Sequence, residues 1–422
     1  MHSTPLLERR LDASFESLLF GLLKEWGLVG SEEVLESERF LSRSLAPHVK
    51  RLSHMFNRME SDAEVQRHYW KDASNRNHLL AAYFLYFMPG NLMRMASVFS
   101  ELARLGYRMP GTPLLRAVDF GSGPGTAACG FALSEALTPL GFSEEPGNWA
   151  LIEKDRKILE LAELWVPEFE RWLGGSAGLH STRPFHRNLD LNRPLLPKNA
   201  PRFNLWTMSF VINEWKESPE HIADQLLDSW KKHLDDEALV VLVEPALKTE
   251  ARKLQSIREH LLKKLPELGL QTLLPCLGDR PCGALARGED WCHEIVSWWR
   301  PPSLQRMDAL VGLDRKTLPL SYWVLARSNR PLSELLPEAS AVEPHPEKLG
   351  RVVSPVRTVG RDLECYLCTP DGKKRCRIRQ DRPNKKGPTL ERGSLVELSS
   401  LRGEDHASRL EAKGLKLWPH GD

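Results

Sequence analysis

LLRAVDFGSGPGTAACGF, residues 114–131, runs from an apolar strand through a glycine turn into a helix-forming stretch. That order of elements builds a cradle for a nucleotide-type ligand. The glycines permit a tight turn and close approach of a ligand to the backbone, and the helix behind them presents free N–H groups at its N-terminus. The spacing departs from the dinucleotide fingerprint, in which the third glycine falls three positions after the second. Here Asp119 precedes a compact Gly121-Ser-Gly123-Pro-Gly125.

Around this stretch the chain alternates between strand and helix patterns. Strands are expected at 115–120, at 149–153 ending in Glu153 and Asp155, and at 203–210 leading into Val211-Ile-Asn-Glu-Trp. Another is expected at 238–244, where ALVVLVE is apolar enough for a parallel sheet covered on both faces. Residues 294–299 and 321–326 read as two closing strands, with a cysteine-containing loop, 272–293, ahead of them. The fold class is therefore α/β, a Rossmann-like doubly wound sheet. Residues 1–110 carry apolar positions at helical spacing, over 6–25, 31–45, 46–59 and 77–105, the last broken by Pro89-Gly90. Tyr83, Tyr86 and Phe87 in that stretch read as core. The sheet domain is expected over 111–328, a Pro/Glu/Ser-rich linker over 329–349 and a small basic β domain over 350–422. In the last, Pro370-Asp-Gly372 reads as a hairpin turn.

The length, 422 residues, suffices for two or three domains, and 41% hydrophobic with 27% charged residues describes a globular chain. No apolar run is long enough to span a bilayer, and the N-terminal residues lack a signal-peptide core, so a cytoplasmic protein without a membrane partner is expected. A net charge of +2 makes no case for nucleic acid by itself. Its distribution does: Lys373, Lys374, Arg375, Arg377 and Arg379, followed by Arg382, Lys385 and Lys386, form a basic stretch able to neutralise phosphates. The competing reading is a hairpin edge protected by charge. Of seven cysteines, Cys129 reads as core, and the rest form two groups, Cys276/Cys282/Cys292 and Cys365/Cys368/Cys376. Clustered cysteines without a secretion signal point to metal before disulfides. Three thiolates on one loop suit Zn²⁺ or an iron–sulfur cluster, with the fourth ligand from His293 or from the second group.

The acidic residue followed by G-S-G-P-G is similar to the S-adenosylmethionine motif of class I methyltransferases. On that likeness Asp119 receives the cofactor's amino group, and Gly121, Gly123 and Gly125 let it approach the backbone. Glu153, ending the second strand, is placed to accept both ribose hydroxyls, and Asp190 is assigned near the adenine. The fourth strand lacks the Asp/Asn-Pro-Pro-Tyr/Phe motif of amino-methylating enzymes, and no Pro-Cys nucleophile stands there. Asn213 and Glu214 are the candidate catalytic residues in its place.

Several further motifs occur together. Cys276 and Cys282 are separated by five residues, Asp290-Trp-Cys292-His293 follows, and Leu367-Cys368-Thr-Pro-Asp-Gly372 lies near the C-terminus. With Asp119–Gly125, Ser209–Glu214 and Val243-Glu-Pro245, the chain resembles the methyltransferase-like proteins of the small ribosomal subunit over about residues 70 to 400. The resemblance implies a [4Fe–4S] cluster on Cys276, Cys282, Cys292 and Cys368, with Cys365 in reserve. It also implies action on 16S ribosomal RNA or in assembly of the small ribosomal subunit, with the basic stretch contacting RNA. The alternatives are a non-catalytic RNA-binding assembly factor, and a small-molecule or protein methyltransferase with structural Zn²⁺. Two positions depart from the family pattern: Ala246-Leu-Lys-Thr stands where Gly-Thr-Pro is usual, and Gly283 replaces a proline after Cys282.

Overall fold

The computed structural model describes residues 11–57, 76–175, 180–187, 189–286, 288–337, 349–369, 372–379, 390–398, 401–402, 408–410 and 417–418. The N-terminal region is helical: α1 (Ala13–Glu25), α2 (Ala46–Asn57), α3 (Arg76–Ala82) and α4 (Met88–Arg104). Two expected boundaries move. Residues 31–37 are turns and irregular chain, and the helix starts where the Ser37 hydroxyl accepts the Phe40 N–H. Pro89-Gly90 does not break the second stretch. A wide π-turn over Tyr83–Phe87 joins α3 to α4, and Pro89 falls in the first turn of α4.

The sheet contains β1 (Arg116–Phe120), β2 (Gly147–Glu153), β3 (His180–His186), β4 (Phe203–Ser209), β5 (Leu234–Pro245), β6 (Leu270–Leu274), β7 (Glu294–Ser297) and β8 (Thr317–Arg327). Its order is β3-β2-β1-β4-β5-β8-β6, with β8 antiparallel to both neighbours. This is the expected class I methyltransferase sheet, with one correction. The sixth strand is Leu270–Leu274, which the sequence pattern does not mark as a strand, and Glu294–Ser297 is a short addition paired to the start of β8. The cysteine loop therefore lies between β6 and β7, and its expected start at 272 falls inside β6. LQTLL is brief, carries Gln271 and Thr272, and forms the sheet's edge, so it lacks the long apolar run of a central strand.

Helices α5 (Thr126–Glu135), α6 (Arg156–Trp172), α7 (Pro219–His233), α8 (Lys248–Leu261) and α9 (Pro302–Val311) follow in chain order. Alternate side chains of each strand enter opposite layers. Ala117 of β1 packs in the layer shared with α4, α5 and Trp165, while Val118 and Phe120 join Trp206, Trp230 and Trp323 on the other face. Helices α4 and α5 meet closely at Gly130, where a Cβ would stand 2.6 Å from the Met95 Cβ and 2.9 Å from the Leu92 carbonyl oxygen.

A second sheet follows, from β9 (Leu349–Val352), β10 (Arg357–Val359), β11 (Asp362–Thr369), β12 (Gly372–Arg379) and β13 (Leu395–Glu397) to the short pairings β14 (Leu401–Arg402), β15 (Ser408–Leu410) and β16 (Leu417–Trp418). β11 and β12 are the expected antiparallel hairpin, pairing Thr369 with Gly372 and Cys365 with Cys376. Arg351 of β9 fastens this sheet to the rest of the molecule. Its buried guanidinium reaches Glu101 of α4 (3.2 Å), Glu294 of β7 (3.3 Å) and the Tyr322 hydroxyl (3.4 Å). Burial opposes charge on Glu101, but Arg104 and Arg351 hold its carboxyl down to about 2.

Candidate functional site

The glycine turn opens at the C-terminal end of β1, where doubly wound sheets bind ligands. Gly121, Gly123 and Gly125 all have positive φ, at 62°, 53° and 76°. Space is as restrictive as conformation: a Cβ on Gly121 would overlap Val211, and one on Gly125 would stand 2.5 Å from the Val166 Cγ2. Asp119 is fully buried. Its Oδ1 accepts the Thr207 hydroxyl at 2.8 Å, and its Oδ2 has no hydrogen-bond partner. Burial, opposed by the Thr207 bond and assisted by the charge of Glu153, pushes this carboxyl up to about 8. A buried, half-satisfied carboxylate beside left-handed glycines fits a ligand bearing an ammonium group.

The other cofactor candidates have different surroundings. Glu153, nearly buried at the end of β2, accepts the Gly123 N–H at 3.1 Å with one oxygen and the Lys154 and Asp155 N–H groups with the other. It holds the glycine turn against β2. Asp155 N-caps α6 through the Lys157 and Ile158 N–H groups, as a helix-start residue should. Asp190 is exposed, and its partners, Asn192 and Arg193, belong to its own turn. Tyr83, expected in the core, packs against it but is part-exposed beside the glycine turn, its hydroxyl 3.7 Å from where a Cβ on Gly123 would stand. Burial and the nearby Glu153 and Glu214 push its phenol up to about 12, against the lowering effect of Asn91 and Thr126.

The segment after β4 is braced from two sides. Phe210 adopts a φ of 59°, unusual for a bulky side chain. Buried Glu244, ending β5, accepts the N–H groups of Val211 (3.1 Å), Ile212 (2.9 Å) and Asn213 (3.1 Å). Its carboxyl is raised to about 8 by burial, which outweighs those three bonds. From α8, Lys253 donates to the carbonyls of Ile212 and Trp215. Asn213 is thus fixed in position with a buried, unpartnered Oδ1. Glu214 is not directed the same way: it is exposed and paired with Lys154 at 2.6 Å.

The same helix grips the cysteine loop. Arg252 donates to the Asp290 carbonyl (2.7 Å), Gln255 to that of Cys292 (2.9 Å) and Arg258 to that of Arg280 (2.5 Å), while Glu259 accepts the Cys282 N–H (2.7 Å). Cys276, Cys282, Cys292 and Cys368 are electrostatic neighbours. Burial and then the other three thiols push Cys292 well above its ordinary value, and burial and Cys276 push Cys282 up to about 12. Buried Arg258 faces Cys276 and Cys282. Among the described residues, no three His, Cys, Asp or Glu side chains already close on a single metal position.

Strand alternation separates the two cysteine candidates of β11. Cys365 packs with Leu367, Cys376 and Ile378 in the small sheet's core, and Cys368, three residues on, faces the other side. The loop meets the hairpin there. A Cβ on Gly283 would come within 2.8 Å of the Gly372 Cα, which accounts for glycine at this departure from the family pattern. The basic hairpin is not an array of free cations. Lys373 pairs with Asp290 (2.7 Å), and Arg375 and Arg377 share Glu364 (2.6 and 3.0 Å). Arg382, Lys385 and Lys386 lie outside the described residues.

Among solved structures, the chain is similar to the magnesium protoporphyrin IX methyltransferase of Synechocystis PCC 6803 with bound SAH (13% identity, 67% of this chain and 100% of that one, TM-score 0.32). It is also similar to the citrinin polyketide synthase CMeT domain (14%, 75% and 79%, 0.36) and to TrmN from Thermus thermophilus (17%, 58% and 53%, 0.29). No curated protein matches it. No helix among the described residues is long and apolar enough to cross a membrane. The profile of the family described as mitochondrial small ribosomal subunit Rsm22 matches residues 78–393, well over half of the chain, and the chain belongs to that family.

Proposed function

We propose that this protein binds S-adenosylmethionine at the glycine turn and acts on the RNA of the small ribosomal subunit, or on its assembly, in the cytoplasm. The observation that carries the cofactor reading is the orphaned Oδ2 of buried Asp119 beside three left-handed glycines. Asp119 would receive the ammonium group, Gly121, Gly123 and Gly125 would lie along the cofactor, and Glu153 would hold the turn with oxygen lone pairs left for the ribose. Asp190 is the weakest of the assigned contacts, since its carboxylate is engaged in its own turn. The family membership supports the ribosomal setting. When bound, the cofactor supplies an electrophilic methyl group. The chain's task is then alignment of an acceptor in a dry site. Asn213 suits that task, because its fixed amide oxygen is free to accept a hydrogen bond from an acceptor amine. Glu214 would contribute only after release from Lys154.

Cys276, Cys282, Cys292 and Cys368 would hold a [4Fe–4S] cluster tying the small sheet to the large one. Three thiols raised by burial and by neighbouring cysteines, Cys282, Cys292 and Cys368, stand with Cys276 and Arg258 beside them, a donor set that a bound cation would deprotonate and stabilise. The cluster would be structural, without a step in methyl transfer.

Labelled cofactor incubated with small subunits from cells lacking the protein tests the catalytic reading. Incorporation into 16S RNA, lost in Asn213→Ala, is expected. Cofactor binding without incorporation would overturn the enzyme and leave a cofactor-dependent assembly factor. Anaerobic iron, sulfide and zinc analysis tests the cluster: iron should be lost in Cys368→Ser and kept in Cys365→Ser. Stoichiometric zinc without iron would overturn it.

A further inference from the structure

With Lys373, Arg375 and Arg377 engaged in ion pairs, cations without acidic partners matter more. Arg94 of α4 is one. Its Nε donates to the Pro319 carbonyl (3.1 Å), one amino group donates to the Asn91 side-chain oxygen (2.8 Å), and its guanidinium lies over the Phe210 ring at 5.6 Å. Among the described residues no carboxylate pairs with it, and the charge that acts on it is another cation, Arg315. Arg315 lies over the rings of Tyr86 (4.7 Å) and Phe87 (4.5 Å). The one acid in its reach, Asp308, is already bound by Arg300 and the Tyr86 hydroxyl. Both arginines are packed by protein yet part-exposed.

The surroundings of this pair are aromatic. Phe56 is 39% exposed and packs on Tyr83 and Phe87, and Tyr83 and Phe210 are part-exposed. The patch borders the glycine turn through Tyr83 and the braced segment after β4 through Phe210. Two cations without ion pairs among the described residues, interleaved with accessible rings, match the chemistry of single-stranded RNA: phosphates for the guanidiniums and base faces for the rings. An acidic protein surface would use the charges and leave the rings idle.

Resting on the functional reading above, we infer that the acceptor RNA enters as a single strand across this face, with Arg94 and Arg315 on its phosphates and Tyr83 and Phe210 against the base to be presented. The N-terminal helices are then part of the substrate site and not only a cover for the sheet.

The test measures binding of a fluorescein-labelled single-stranded RNA of about a dozen nucleotides by anisotropy across a salt series. Arg94→Ala and Arg315→Ala should each weaken binding about tenfold and lower the slope of log K against log salt by about 0.7. Arg94→Lys should retain most of the slope, and unchanged unfolding midpoints exclude a folding defect. Wild-type affinity in the Arg94→Ala/Arg315→Ala double variant, with loss in Lys373→Ala/Arg375→Ala/Arg377→Ala, would overturn this inference and leave the ribosomal reading standing. Loss of small-subunit sedimentation with RNA binding intact would make the face a protein site and likewise overturn it. Failure of the wild-type protein to bind any RNA would overturn the RNA reading itself.

Discussion

Asp119 gives the cofactor proposal a measurable proton. Its carboxyl is fully buried, has one hydroxyl partner, and is raised to about 8. At pH 7 only about one-tenth of it is ionised, so an ammonium-bearing ligand must expel close to one proton on binding. Affinity for S-adenosylmethionine should therefore rise about tenfold per pH unit between pH 5 and 7. It should flatten near 8, where the ligand's own amino group begins to titrate. Calorimetry in buffers of different ionisation enthalpy counts the released proton. 5′-Methylthioadenosine, which lacks the amino acid portion, should show neither slope nor release. Asp119→Asn should abolish both for S-adenosylmethionine. The same substitution carries a stability signature. A carboxyl raised on folding is neutral in the native state, so its ionisation in the unfolded chain lowers stability as pH climbs from about 4 to 8. That loss accrues at roughly 1.4 kcal/mol for each pH unit crossed. The apo variant should thus be more stable than wild type at pH 8, by a few kcal/mol, and nearly equal at pH 4. Equal pH slopes in wild type and variant, or a variant weakened alike at both pH values, would refute the reasoning.

Other consequences follow from single contacts. Gly283→Ala should cost about 1–3 kcal/mol in denaturant unfolding and reduce bound metal, because the new methyl meets the Gly372 backbone and not a yielding side chain. Glu244→Gln should cost about 1–3 kcal/mol and speed amide hydrogen exchange at Val211, Ile212 and Asn213, since one amide oxygen and an NH₂ donor replace the two carboxyl oxygens that share the three N–H groups. Arg351→Met leaves Glu101 and Glu294 buried without this counter-charge and should destabilise by about 3–5 kcal/mol, partly recovered in Arg351→Met/Glu101→Gln. Glu101 has the opposite pH sign to Asp119. Its contribution is complete above the ordinary carboxylate range and is lost as pH falls toward about 2, so wild type should lose more stability than Glu101→Gln over that acid window.

What can be read from the sequence follows the distance over which each constraint acts. The glycine turn is legible because its requirements are local: positive φ and the absence of Cβ belong to Gly121, Gly123 and Gly125 themselves. The exposure of Cys368 to the loop side is also legible in principle, since residues three apart on a strand face opposite ways, and one of Cys365 and Cys368 has to point into the small core. The basic hairpin misleads when charge is counted without partners. Glu364 meets Arg375 and Arg377 only once β11 and β12 pair, and Asp290 lies 83 residues from Lys373, so that ion pair exists only after the hairpin docks on the cysteine loop. The bracing of Asn213 is equally non-local, supplied by Glu244 from 31 residues away and, through Ile212, by Lys253. Helix α8 then acquires a meaning its amphipathic pattern does not carry. Lys253 holds the segment after β4, while Arg252, Gln255, Arg258 and Glu259 hold the loop bearing Cys276, Cys282 and Cys292. Disorder in the cysteine loop would remove hydrogen-bond partners from the helix that fixes Asn213, so the two halves of the candidate site share one support.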